Sequence, residues 1–351
     1  MKRRKVIKKQ WFDKRSKKIG KRKKHKKVHH IIQDTKSVNI EKKTYNFMKD
    51  GVVCKKILPE RFSLVDNTEE TMQFFSDVIN TVKNGCFRQT TFFCSKDVKY
   101  ASEDALIYLI AIMCNMKFDK NKDYIFKGDL PKNKEVEKVY EESGFMEYVE
   151  SDLKEIPKCT DKMRIVTGNK NKPDIAGSII DFVVKKLNKT IKETMNLQKI
   201  LVELMSNVFF HAYNKEEEGI MYNRWYMYAE KKGDTVRLLF VDTGLGIAQT
   251  VRKNHLEKII RKFSKTPSDG VLIKETFICD DYRRSSTSEK HRGNGLSAVK
   301  SWVENDMFRS FQVISGYGGY KMEIDEKGNK VFKHVNYKNS IEGTMYVFDI
   351  I

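Results

Sequence analysis

No two cysteines in this sequence stand in a C-x-x-C pair. The six, Cys54, Cys86, Cys94, Cys114, Cys159 and Cys279, also lack metal-ligand spacing. That excludes a zinc ribbon or a thioredoxin-like redox centre. Several lie inside apolar runs, such as Phe92-Phe93-Cys94 and Ile112-Met113-Cys114, where a free thiol acts as a small hydrophobe. A reducing cytoplasm is the expected setting. Long hydrophobic runs are missing as well. The strongest, Ala105 to Cys114, is about half of the ~20 residues a membrane helix requires. The basic N-terminus is followed by no apolar segment, so no signal peptide is expected. Histidine is absent between residues 31 and 210, the seven being His25, His29, His30, His211, His255, His291 and His334. There is no internal repeat.

What is abundant is positive charge, and it is unevenly spread. The 351 residues carry a formal charge of +21. Residues 1–30 hold 16 Lys and Arg against one acid, Asp13, or +15, which leaves +6 for the rest. A tail of that composition repels itself and cannot bury a core, so a disordered basic tail over residues 1–40 is expected. It suits contact with a polyanion, including nucleic acid, though with only Trp11 and Phe12 interleaved it makes no base-stacking platform.

The length is sufficient for two domains after the tail. Residues 45–150 read as a small α/β domain. Asn67-Thr68-Glu69-Glu70 predicts a capping box, and Met72, Phe75, Val78, Ile79 and Val82 recur at helical spacing behind it. A strand at Thr91–Cys94, a helix apolar nearly all round from Ala105 to Met116, a strand at Tyr124–Phe126 and a charged helix Lys134–Glu142 follow. The polar segment of about 150–172, with Pro157, Gly168 and Pro173, predicts a boundary. Beyond it come helices from Pro173 and over Thr194–Ala212. A hairpin then turns at Lys231–Asp234, with Trp225, Met227 and Ala229 on one face as expected of a half-buried sheet. Four late strands are expected near Phe311–Ser315, Tyr320–Ile324, Val331–Val335 and Thr344–Ile350.

Three strings carry chemistry. In Leu201–His211, Glu203, Asn207 and His211 are four apart and form one polar stripe on an otherwise apolar helix. Buried polar groups there must be paired or line a cavity. The strand Val236–Val241 ends in Asp242-Thr243-Gly244-Leu245-Gly246-Ile247, a carboxylate beside two glycines. Arg292-Gly293-Asn294-Gly295-Leu296 opens a helix, and glycines there free backbone N–H groups for phosphate. Each string alone has an ordinary structural explanation: a side-chain network, a turn, a helix start.

In this order, E-x-x-x-N, D-x-G-x-G and G-x-G-L resemble the N, G1 and G2 boxes of the GHKL ATPase superfamily of gyrases, heat-shock chaperones, histidine kinases and mismatch-repair ATPases. Gly343-Thr344 resembles that family's final box. The resemblance covers about half of the chain and implies an ATP-binding domain over residues 170–351. The implied fold is a Bergerat-type α/β sandwich on a mixed, mostly antiparallel sheet. It implies ATP and Mg²⁺ as cofactors. Asn207 would be the metal ligand, Asp242 and Thr344 the adenine partners, and Gly244, Gly246 and Ile247 the nucleotide-approaching turn. Arg292, Gly293, Gly295 and Leu296 would form the phosphate loop, and Glu203 would act as catalytic base. A polar lid over about Thr250–His291 is expected from the same likeness, with Arg283, Arg284, Lys290 and Arg292 as phosphate contacts.

An ordinary histidine autokinase is disfavoured, because no histidine precedes the N box in the folded part. The sequence stops soon after its last expected strand, which disfavours relatives with a following transducer domain. Residues 45–150 loosely resemble a STAS-like domain, with Ser102 either a phosphorylatable serine or a helix cap. Three functions follow: an ATP-driven switch with slow hydrolysis, an anti-sigma-factor-like serine kinase, or an ATP-regulated nucleic-acid module. A protein partner or a homodimer is compatible with each.

Overall fold

The computed structural model describes residues 52–84, 88–114, 123–149, 159–210, 224–263, 266–278 and 307–351. The expected tail, His211, the Arg292–Leu296 string and the four expected phosphate contacts lie outside them.

The first unit is a three-stranded parallel sheet in the order β1 (Val52–Ile57), β3 (Arg88–Cys94), β5 (Asp123–Gly128). Parallel strands need crossovers, and helices supply them. α1 (Thr68–Lys83) follows the short strand β2 (Arg61–Phe62), and α2 (Glu103–Cys114) follows β4 (Tyr100–Ala101), with β2 and β4 themselves paired. α3 (Lys134–Glu142) and α4 (Met146–Val149) complete the unit. In α1 the predicted apolar positions Met72, Phe75, Val78, Ile79 and Val82 are all buried. Asn67 precedes the helix without capping a backbone N–H. Its side-chain amide instead donates to Glu70 at 2.7 Å. α2 is buried from Glu103 to Met113, as its all-round apolarity requires.

The second unit is a five-stranded sheet, and every neighbouring pair is antiparallel. Its order is β6 (Lys162–Gly168), β7 (Trp225–Lys232), β8 (Thr235–Asp242), β10 (Lys330–Ile350), β9 (Phe308–Ile324). β6 lies in the segment read as a polar boundary, where charged Lys162 and Arg164 interrupt its apolar residues. β7 and β8 are joined by a two-residue turn at Gly233-Asp234, Gly233 having φ +62° as such tight turns need. The four strands expected late in the chain merge into two long ones, with register shifts between Asn336 and Thr344.

Side chains alternate across this sheet. On one face Trp225, Met227, Leu238, Phe240, Val313 and Phe348 pack with α5 (Pro173–Leu187), α6 (Ile191–Phe210), α7 (Ile247–Phe263) and α8 (Asp269–Ile278). On the other, Tyr226, Tyr228, Leu239, Val241, Met345 and Val347 join the core of α1 and α2. The sheet is therefore buried on both sides, not half-buried as the hairpin pattern suggested. The first unit is its second cover.

The expected polar lid is corrected in its first half. Residues 247–263 and 269–278 are helical, and Leu272, Ile273 and Phe277 of α8 are buried, with Phe277 stacked on Tyr320 at 5.2 Å. Val251, Ile259, Leu272 and Ile273 outweigh the Ser, Pro and Gly that made the stretch look mobile. Residues 279–291 lie outside the described part. Among the described residues no helix is long and apolar enough to cross a membrane.

Candidate functional site

One row of residues crosses the sheet at the end where β8 stops: Gly168 opposite Trp225, Trp225 opposite Asp242, Asp242 opposite Thr344, and Thr344 opposite Ser315. Directly paired residues point to the same face, so the row shares the Trp225 face, which the helices cover. Asp242 is 8% exposed and Thr344 4%. The sequence-predicted carboxylate and its hydroxyl neighbour are thus cross-strand partners, although 102 positions separate them in the chain.

The turn after β8 is built around that carboxylate. Gly244 N–H donates to Asp242 Oδ1 at 2.8 Å, an Asx-type turn. Ile247 N–H donates to Ser315 Oγ at 2.9 Å, and Ser315 Oγ donates to the Gly343 carbonyl at 2.8 Å. With the Ser315 proton committed there, the Thr344 hydroxyl is the donor across its 3.2 Å contact with Ser315, which leaves the Thr344 oxygen as an acceptor. An ionised aspartate is acceptor-only. Two acceptors side by side suit a ligand that presents N–H donors.

Two glycines fix the geometry. Gly246 has φ +81°, and a Cβ there would stand 2.7 Å from Ser315 Oγ. Gly343 has φ +77°, and a Cβ would stand 2.0 Å from the Asp242 carbonyl oxygen. Close approach at Gly246 is therefore to the protein's own strands. Gly244 serves as a donor to Asp242. Ser315, which no sequence motif marked, is the fully buried joint between the turn and the final strand.

α6 brings the N-box residues to the same face. Leu197, Ile200, Leu201, Leu204, Met205 and Val208 form its buried stripe, and Glu203 and Asn207 flank it half-buried. A short series of contacts ties this part of α6 to the row. Trp225 Nε1–H donates to the Lys170 carbonyl at 2.9 Å, and Asn171 Nδ2 donates to Ser206 Oγ at 3.0 Å. Ser206 adjoins Asn207. Burial pushes the Glu203 carboxyl above its ordinary value.

No protein-family model matches this sequence, and no curated protein does either. The likeness to GHKL ATPases rests on the sequence motifs alone.

Among the described residues no group of three or more His, Cys, Asp or Glu side chains could hold a metal ion. The donor chemistry of Asn207 suits a hard cation that keeps water and ligand oxygens in its remaining positions. Ser102 stands apart from the row. It is buried, its carbonyl accepts from Leu106 N–H at 3.3 Å as a helix start requires, and its hydroxyl donates to Asp104. Ser102 thus stands at the helix start with its hydroxyl bonded to a side chain and not to a backbone N–H.

Proposed function

We propose that residues 170–351 bind an adenine nucleotide with Mg²⁺ and hydrolyse ATP slowly, as a conformational switch in the cytoplasm. The observation that carries this reading is the pairing of Asp242 with Thr344 on the α6 face, two acceptors at a glycine-bounded strand end. Asp242 accepts from the exocyclic amino group of adenine, and Thr344 supports it. Glu203, raised by burial, takes a proton from the attacking water. Asn207 would hold Mg²⁺ through its side-chain oxygen, and the ion would supply charge neutralisation to the phosphates. On the motif resemblance, Gly293 and Gly295 would donate N–H groups to the phosphates, with Arg292 and Leu296 in the same string. Homodimerisation and nucleic-acid contact through residues 1–40 are further parts of this reading, both compatible with a switch.

Calorimetry of the full chain with ATP and Mg²⁺ tests it. Heat of binding is expected in wild type. Glu203→Ala is expected to bind ATP within a few-fold of wild type and to lose at least ~100-fold in phosphate release. No binding heat in wild type rejects the pocket, and unchanged hydrolysis in the variant rejects Glu203 as the base.

A further inference from the structure

The final strand breaks its ladder just before Thr344. Ile341 pairs with Gly316 and Thr344 pairs with Ser315, and the register shifts between them, leaving Glu342 and Gly343 outside the ladder. A bulge of this kind re-aims the following side chain, here Thr344 toward Asp242. Backbone groups at such a break need partners. Gly343 O has Ser315 Oγ. The partner of Glu342 comes from the first unit.

Tyr108, in the middle of α2, places its hydroxyl against both backbone groups of Glu342. It accepts from Glu342 N–H at 2.7 Å and donates to Glu342 O at 3.0 Å. One phenol thus replaces the missing strand partner. The ring is fully buried and packs edge-on against Phe75 at 4.7 Å. Lys83 of α1 adds an ion pair to the Glu342 side chain.

We infer that Tyr108 is a positioning residue for the nucleotide site, holding the Glu342–Gly343 bulge so that Thr344 faces Asp242. This rests on the nucleotide reading above and deepens it: the first unit supplies part of the framework for base recognition. Burial and the nearby charges of Glu342 and Asp242 hold the phenol protonated, as the donated bond to Glu342 O requires. Occupancy of the base pocket and seating of α2 are then coupled through a single residue.

Tyr108→Phe in the full chain removes the hydroxyl and keeps the ring. Calorimetry with ADP and with GDP, both with Mg²⁺, is expected to show ADP binding about tenfold weaker, with most of the preference for ADP over GDP lost. A purely structural loss would weaken both nucleotides equally. Lys83→Ala, which leaves the backbone clamp alone, is expected to stay within twofold of wild type. Equal losses in both variants overturn the assignment to the hydroxyl. Hydrogen exchange on wild type gives an arm that needs no variant: the Glu342 and Thr344 amides must slow when ADP saturates, and no change overturns the inference. A wild type that binds no ADP overturns the nucleotide reading and this inference with it. A wild type that binds ADP and a Tyr108→Phe variant indistinguishable from it overturns the inference alone.

Discussion

At the scale of single residues, the proposed site depends on where one carboxylate sits. Asp242 is buried at a strand end with Gly244 N–H on one oxygen, so its turn and its proposed ligand contact use the same side chain. Asp242→Asn separates the two roles. The amide oxygen still accepts from Gly244 N–H, so the turn stands. What is lost is a charge-assisted bond to the base, about 1.5–3 kcal/mol, or roughly 10- to 100-fold in affinity. ATP titration by calorimetry is expected to show that loss with the unfolding midpoint nearly unchanged. Equal affinity would remove Asp242 from base recognition. Ser315 and Tyr108 matter as much to this geometry, yet each acts across a large sequence separation. A serine in a strand and a tyrosine in an apolar helix carry no local signal of such a partner.

Among elements, the link between α2 and the β2–α1 turn concentrates on another buried acid. Asp104 accepts from Leu64 N–H at 2.5 Å, from Ser63 Oγ at 3.2 Å and from Ser102 Oγ. Burial pushes its carboxyl upward, and the bonds from Ser102 and Leu64 oppose that. Asp104→Ala leaves a buried N–H and two hydroxyls without their acceptor and is expected to cost about 2–4 kcal/mol. Ser102→Ala removes one bond and is expected to cost about 1 kcal/mol. Denaturant unfolding of both variants checks the difference, and similar losses would show that Asp104 is no hub. Elements of this kind were legible where periodicity was strong. Met72 to Val82 gave α1, the apolar run after Ser102 gave α2, and Lys134–Glu142 matched α3. Legibility failed where charge or small residues interrupted the pattern. Lys162 and Arg164 hid β6, and Pro267 and Gly270 hid the packed helix α8. In the site, Asp242, Gly246 and Thr344 were readable as motif positions. The row that joins them depends on strand order, which no local spacing encodes.

For the whole molecule, the decisive feature is a sheet buried on both faces, with charged groups caught at the seam between the sheet and the first unit. Lys162 of β6 lies 2.9 Å from Glu103 of α2, 3.1 Å from Glu142 of α3 and 4.0 Å from Glu230 of β7. Tyr228 reaches Glu230 at 3.4 Å, and Lys232 and Arg237 add positive charge nearby. Three carboxylates share one half-buried ammonium, so one of them is under-compensated. Burial first, and then the charge of Glu103, pushes the Glu230 carboxyl from 4.5 to about 7, against the opposing pull of Lys162. Between those values the folded protein keeps a proton that the unfolded chain has released. Stability from this group is therefore fully present below pH 4.5, falls as pH rises toward 7, and is level above that. The slope for one such group is about 1.4 kcal/mol per pH unit. Glu230→Gln keeps the shape and removes the titration. Thermal unfolding at pH 5, 6, 7 and 8 is expected to show wild type losing stability relative to the variant up to pH 7, with the gap constant beyond. Parallel curves for the two proteins would mean that the seam tolerates the charge of Glu230.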